Sequence, residues 1–304
     1  MSAGNQPEPR PLSRTAIGSA ATRAIGAKHP DPAFRNPDYL AARLVGPRER
    51  ALLPGDLAEP LDLDFADALA RHPDPQRVTG VLARTRFFDE ALEAALRSGV
   101  RQVVILGAGL DSRGYRFADR LRGVRFFEVD SPSTQAYKQQ RVQEVLGALP
   151  DHVRFVPVDF ATDDLLALLR AHGYAEDART LFIWEGVTMY LPEAAVRAML
   201  RFVRDHAAPG STLAFNYLLS SNPLVNNPNT GMARMGEPMV FGFPGASAAD
   251  LLAQEGLRVV ADLPTVELAA RYAQRPDGTW ALPAIDPTNP HSPGRYCLAR
   301  VPPP

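Results

Sequence analysis

Residues 101–130, RQVVILGAGLDSRGYRFADRLRGVRFFEVD, limit what this chain can fold into more than any other stretch. Val103, Val104, Ile105 and Leu106 form an unbroken aliphatic run, the composition of a strand buried on both faces of a parallel sheet. The run stops at Gly107-Ala108-Gly109, where the backbone must turn sharply and leave room for a close approach. Asp111 and Ser112 offer capping oxygens for a short helix over 111–121. A second apolar strand over 124–129 ends at Asp130, 23 residues after Gly107. Strand, glycine turn, helix, strand and acid, in that order, build a unit that holds a nucleoside over the carboxyl ends of its strands. The acid takes hydrogen bonds from the ribose hydroxyls.

The glycines discriminate between nucleosides. A dinucleotide site calls for a third glycine at position 112, so that the helix packs tightly and its N-terminus meets a pyrophosphate. Position 112 is Ser and position 111 is Asp, whose charge repels a phosphate at a helix N-terminus. The pattern therefore favours a cofactor with a ribose and no phosphate, S-adenosyl-L-methionine. The alternative at this level is a glycine-rich turn in some other doubly wound protein.

At 304 residues and a formal net charge of −1, the chain suits one large α/β domain, with or without a cap, and shows no basic excess of the nucleic-acid-binding kind. No run of about 18 apolar residues is present. The first 20 residues lack a signal-peptide core, so a cytoplasmic protein away from the membrane is expected. Cys297 is the single cysteine, which excludes an internal disulfide and reads as a buried, inert thiol. The six histidines, at 29, 72, 152, 172, 206 and 291, lack metal-ligand spacing, and no metal site is expected. The pattern is silent on oligomeric state.

Taken in order, residues 1–12 are polar and proline-rich and read as a mobile tail. Residues 13–98 read as a helical extension, with short helices over 36–45 and 64–71 around a loop at 46–61. An amphipathic helix follows over 78–97, where Val81, Leu82, Phe88, Leu92 and Leu96 recur at helical spacing. From 99 to 304 strands and helices alternate: helix 134–146, strand 152–158, helix 163–172, strand 180–184, a helix opened by Pro192, and strand 211–217. Residues 218–244 are rich in Asn, Pro, Gly and Met and follow the carboxyl end of a strand, the place of a lid. Helix 246–255, strand 257–261, a polar loop and strand 295–301 close the chain. The expected fold is a doubly wound, Rossmann-like α/β sheet of seven mostly parallel strands, the last inserted antiparallel.

Five motifs carry a resemblance: LARTRFFD at 82–89, QVVILGAGLDSRGYRF at 102–117, FFEVDSP at 126–132 with Lys138 beyond, VPVDF at 156–160, and WEGVTMYLP at 184–192. Together they resemble the leucine carboxyl methyltransferase family and its bacterial relatives, class I S-adenosylmethionine-dependent O-methyltransferases, over roughly residues 15–217. The resemblance implies that Gly107, Ala108 and Gly109 lie against the methionine portion of the cofactor, and that Asp130, beside Ser131, binds the ribose. Asp159 and Phe160 would meet the adenine, although Asp159 also suits a helix cap for 163 onward. Arg84, with Arg86 as rival, would pair with the cofactor carboxylate, and Arg23, with Lys28 as rival, would be the second basic residue on it. Glu185, beside Gly186, would face the methionine end, and Tyr190 would line the same pocket.

Methyl transfer from a sulfonium is an in-line displacement, so the protein must hold donor and acceptor collinear and dry. A carboxylate acceptor is ionised at pH 7 and needs no base, whereas a phenol or alcohol needs one. No histidine-centred pair stands near a motif, which favours a carboxylate positioned by Arg113, Tyr115 or Tyr217. Family members with a protein substrate carry an acid soon after the Asn-Tyr pair of the fifth strand. Here Asn216-Tyr217 is followed by Leu218-Leu219, which points to a small-molecule acceptor, such as a secondary metabolite. The other readings are a protein carboxyl methyltransferase, an NAD-dependent oxidoreductase and a non-catalytic cofactor-binding module.

Overall fold

The two strands expected within residues 101–130 pair in parallel, Val103 opposite Phe126 and Leu106 opposite Val129. The computed structural model describes residues 13–160, 162–288 and 294–303, so the tail expected at 1–12 lies outside the described residues. Among these described residues six α-helices precede the sheet: Arg14–Gly26 (α1), Ala41–Leu44 (α2), Pro47–Arg50 (α3), Gly55–Ala58 (α4), Phe65–Arg71 (α5) and Gln76–Arg97 (α6). Strands and helices then alternate as Gln102–Leu106 (β1), Arg113–Arg116 (α7), Arg125–Asp130 (β2), Pro132–Leu146 (α8), Val153–Pro157 (β3), Leu165–Ala171 (α9) and Thr180–Trp184 (β4). The rest runs Glu193–His206 (α10), Thr212–Tyr217 (β5), Gly231–Arg234 (α11), Ala249–Gln254 (α12), Arg258–Pro264 (β6), Thr265–Ala273 (α13) and Arg295–Arg300 (β7).

The strands form one seven-stranded sheet in the order β3-β2-β1-β4-β5-β7-β6, parallel except that β7 runs antiparallel to both of its neighbours. Strand order reverses between β1 and β4, the place where doubly wound sheets open a crevice for a ligand. Alternation of side chains along each strand divides the core in two. Val104, Leu106, Phe127, Phe182 and Phe215 pack with α9, α10 and α12 on one face. Val103, Ile105, Phe126, Leu181 and Ala214 pack with α6, α8 and α13 on the other. Every residue of β1 and β4 is buried, which is why both read as uninterrupted apolar runs.

Several local expectations change. The helix expected over 111–121 is one turn, α7, and then a 3-10 turn at Ala118–Arg120. Gly114 inside α7 lies so close to Phe126 and Val153 that a Cβ would sit 3.2 and 3.1 Å from them, so this turn is pressed onto the sheet. Asp111 caps it by accepting from the Arg113 N–H (2.7 Å), while Ser112 donates its hydroxyl to Asp38 instead (2.6 Å). The helix expected at 36–45 shrinks to α2, because the Asn36 side chain accepts from the Asp38 N–H and holds a turn before it. The loop at 46–61 contains α3 and α4. Pro192 is the N-cap of α10, one residue ahead of its expected place. Helix α13 falls inside the stretch read as a polar loop; it is short, and what fixes it is burial of Leu268, Ala269 and Ala273, the first two in the core cluster that α6 shares.

Candidate active site

A cavity of about 1170 Å³ opens at the carboxyl ends of the central strands. A pocket for one drug-sized ligand spans about 300–1,000 Å³, so this one has room for a cofactor and part of a second molecule. Its floor is the glycine turn, the end of β2 and residues 185–190 after β4. Its roof is α1, the start of α6 and part of 218–244.

The turn after β1 is pinned from below. The N–H groups of Gly107 and Ala108 both donate to the Val129 carbonyl at 2.9 Å. Gly107 has φ +72° and a Cβ there would stand 2.7 Å from Val187 Cγ2, so only glycine fits. Beneath the turn Lys138 is fully buried, 2.7 Å from the Glu128 carboxylate, and donates to the Ala108 carbonyl at 3.4 Å. Burial pushes Glu128 up to about 7 even though Lys138 pulls the other way.

Asp130 accepts from the Gly109 N–H (2.6 Å) and from the Ser131 N–H (2.7 Å), one bond to each oxygen. A carboxylate offers about four acceptor positions. Two remain, and Asp130 lines the cavity, so its carboxylate has the capacity that the vicinal diol of a ribose requires. Ser131 itself does not line the cavity: its hydroxyl accepts from the Thr134 N–H and caps α8. Phe160 does line it, 52% exposed, as an apolar plate at the far end of the floor. Asp159 lies just outside the lining, and the helix-capping role open to it falls to Asp164, which accepts from the Ala167 N–H.

Most of the remaining charged groups are paired. Arg23 bonds Asp38 (2.7 Å) and the Leu110 carbonyl (2.8 Å), which fixes α1 to the glycine turn. Arg84 and Arg113 share Glu185, at 2.8 and 2.7 Å. Arg113 also bonds Asp89 at 2.8 Å and Asp111, and it is 3% exposed. Burial alone would lower its pKa; Asp111, Glu185 and Asp89 outweigh that and hold it well above its ordinary value. The rivals sit elsewhere: Lys28 donates to the Leu61 and Leu63 carbonyls, and Arg86 to those of Ala33 and Arg35, both outside the lining.

Three residues expected to position the acceptor are committed to the scaffold. Arg113 spends its guanidinium on three acids. Tyr115 donates to Glu128 (3.1 Å) below the glycine turn, and burial raises its pKa far above the ordinary value. Tyr217 is fully buried; its hydroxyl donates to Asp262 (2.6 Å) and accepts from the Ala248 N–H (2.8 Å), tying β5 to β6 and to the start of α12. Neither tyrosine lines the cavity. Tyr190 does, and burial raises its pKa against a hydrogen bond with Thr15 that lowers it. Gly186, with φ +71°, donates its N–H to the Asn216 side chain (2.7 Å), which places Asn216 in the wall as well.

Two contributors escaped sequence reasoning. Glu237, in the 218–244 segment, accepts from the N–H groups of Arg14 (2.8 Å) and Thr15 (3.0 Å) and from the Ser13 hydroxyl (3.1 Å). It thereby places a carboxylate on the amino end of α1. Arg77 lines the cavity one helical face along from Arg84; the seven-residue spacing was readable, but a lone arginine early in a helix carries no signal of its own. Among the described residues no cluster of potential metal ligands is present, and no helix is long and apolar enough to cross a membrane.

This sheet order, with an acid ending β2 above a glycine turn, is the class I methyltransferase arrangement, and the free acceptor positions on Asp130 fit S-adenosyl-L-methionine, the cofactor of the class. The leucine carboxyl methyltransferase family profile matches residues 16–204, and the chain belongs to that family. A relative from Frankia alni, named "Putative S-adenosyl-L-methionine-dependent methyltransferase", is 36% identical over 211 residues, 69% of this chain and 70% of its own. One from Streptomyces coelicolor with a similar name is 35% identical over 206 residues, 68% of this chain and 69% of its own. A solved structure of a "putative methyltransferase" from Thermobifida fusca shares the fold, with TM-score 0.51 and 15% identity over 92% of this chain and 97% of that one.

Proposed function

We propose that this methyltransferase transfers the methyl group to an oxygen of a small organic acceptor, and that the oxygen belongs to a carboxylate. The observation that carries this is the make-up of the wall. Among the described residues that line the cavity there is no histidine, and five of its six acids, Asp38, Asp111, Asp130, Glu185 and Glu237, are each tied to an arginine or to backbone amides, Asp74 being the exception. Tyr190, its pKa raised, holds its proton at neutral pH. A wall with nearly all its acids so committed suits an acceptor that arrives ionised.

Asp130 would hold the ribose, the glycine turn and Gly186 would leave room for the amino-acid tail, and Arg84 and Arg23 would face its carboxylate. When bound, the cofactor supplies an electrophilic methyl group: a carboxylate lone pair forms the new O–C bond, the S–C bond breaks, and the sulfur leaves as a neutral thioether with no proton moved. Residues 218–244 would act as the lid, held shut by Glu237 on α1, so that water is excluded while donor and acceptor are aligned. A cavity roofed by this segment would suit a small acceptor better than the tail of a folded protein.

The test is transfer of labelled methyl from S-adenosyl-L-methionine to a panel of carboxylic acids, phenols and amines. Label on acids, released as methanol by mild alkali, supports the reading; label confined to phenols or amines contradicts it.

A further inference from the structure

Among the described residues six arginines line the cavity. Arg23, Arg84, Arg113 and Arg116 each pair with one or more carboxylates, and Arg14 is exposed to solvent. Arg77 differs from all of them. It is partly buried, and among the described residues no carboxylate lies within ion-pair distance of its guanidinium and no group accepts a hydrogen bond from that guanidinium, only the backbone N–H being used, on the Asp74 carbonyl at 3.0 Å. Asp74, three residues earlier, acts on it only at a distance.

Its position is defined from three sides. It is the second residue of α6, seven before Arg84, so the two side chains share a helix face about 10 Å apart along the axis. Its Nη2 lies 3.9 Å from the point a Cβ on Gly18 of α1 would occupy. Tyr190 is close enough for its charge state to act on the guanidinium. Arg77 therefore faces the cavity between Gly18 of α1 and Tyr190, one stretch of helix before Arg84.

A guanidinium cannot shed its charge at ordinary pH, so withdrawing one from water without a counter-ion is unfavourable until an anion arrives. Burial and the Arg84 charge both lower its pKa, the mark of a cation that lacks compensation. One planar guanidinium matches one carboxylate in a two-bond fork. Apart from Glu237, whose carboxylate is taken up by α1, the wall contributed by 218–244 is largely apolar and adaptable, with Leu218, Leu224, Met232, Met235 and Met239. A cation facing an apolar wall selects a molecule with the same two parts.

We propose that Arg77 is the acceptor-recognition residue, its guanidinium taking the carboxylate of an organic acid whose apolar body lies against the 218–244 segment. The proposal rests on the methyl-transfer reading above and deepens it.

The experiment uses the full chain saturated with S-adenosylhomocysteine and titrated calorimetrically with benzoate, phenylacetate and octanoate and, in parallel, with their uncharged primary amides. At least one acid is expected to bind about tenfold or more tighter than its amide. Arg77→Gln should erase that preference and Arg77→Lys should keep part of it, with S-adenosylhomocysteine affinity within about twofold of wild type in both. That last reading also shows that the variants are folded. Equal binding of every acid and its amide, absence of binding by all six included, would overturn the proposal. So would a large loss of S-adenosylhomocysteine affinity in Arg77→Gln, which would assign Arg77 to the cofactor's own carboxylate and leave the methyltransferase reading intact. Failure of the wild-type chain to bind S-adenosylhomocysteine would remove that reading and the proposal with it.

Discussion

Around Asp130 the cavity wall is made by a single β-turn-β unit, residues 101–130, with Lys138 beneath it; around Arg77 it is assembled from α1, the start of α6, residues 188–190 and the 218–244 segment. In the first region the charged groups are paired and the backbone is pinned by its own hydrogen bonds. In the second an arginine stands without a carboxylate among the described residues, and an acid, Glu237, joins two segments more than two hundred residues apart. A site for an invariant cofactor can be rigid and electrically settled in advance. A site for an acceptor has to leave a charge for the ligand to satisfy and a segment able to open.

The largest effect that would break this contrast is at Lys138. Removing it as Lys138→Met strands the Glu128 carboxylate beneath the glycine turn, which for a broken buried pair costs about 3–5 kcal/mol. Glu128 already has a folded-state pKa raised to about 7 from its ordinary value, so the folded chain binds the proton more tightly than the unfolded one. Its contribution to stability is present below the ordinary carboxyl range and lost as pH rises through the folded value. Without Lys138 that value rises further, and the variant should be less impaired at pH 5 than at pH 8 in urea unfolding. An equal loss at both pH values would contradict the pairing.

Next comes the ribose contact. Asp130→Ala should weaken S-adenosylhomocysteine binding by about 100-fold, the scale of a hydrogen-bonded charge removed from a ligand hydroxyl pair, with Asp130→Asn intermediate. Affinity that survives both changes would move the ribose elsewhere.

How much of this was legible follows the same division. The sheet, its order of elements and the acid at position 130 are local in sequence: a buried parallel strand reads as an apolar run and a tight turn as glycines. The Arg77 side of the cavity depends on contacts across the chain that no spacing reveals. Tyr115 and Tyr217 looked available because they follow motifs, yet Glu128 and Asp262 claim their hydroxyls. Arg113 looked like a positioning residue because the three acids around it come from α6, the glycine turn and the end of β4. Helix α13 was missed because its pattern spans only nine residues and its buried side chains are small.

Smaller effects sharpen the comparison. Glu237→Ala removes the carboxylate from the amino end of α1, worth about 1 kcal/mol. Limited proteolysis within 218–244 should then quicken about fivefold, with S-adenosylhomocysteine affinity retained; an unchanged cleavage rate would show that Glu237 does not hold the segment. Smallest of all, Tyr217→Phe should lower unfolding stability by about 1–3 kcal/mol while leaving kcat for an accepted acid within about twofold of wild type. A large fall in kcat with stability intact would return Tyr217 to the chemistry.

The most direct measurement is a crystal structure with S-adenosylhomocysteine bound. The account predicts the ribose hydroxyls on Asp130, the amino-acid tail at Arg84 and Arg23, and the sulfur facing open space that leads to Arg77. A cofactor tail lying on Arg77, or a ribose away from Asp130, would contradict it.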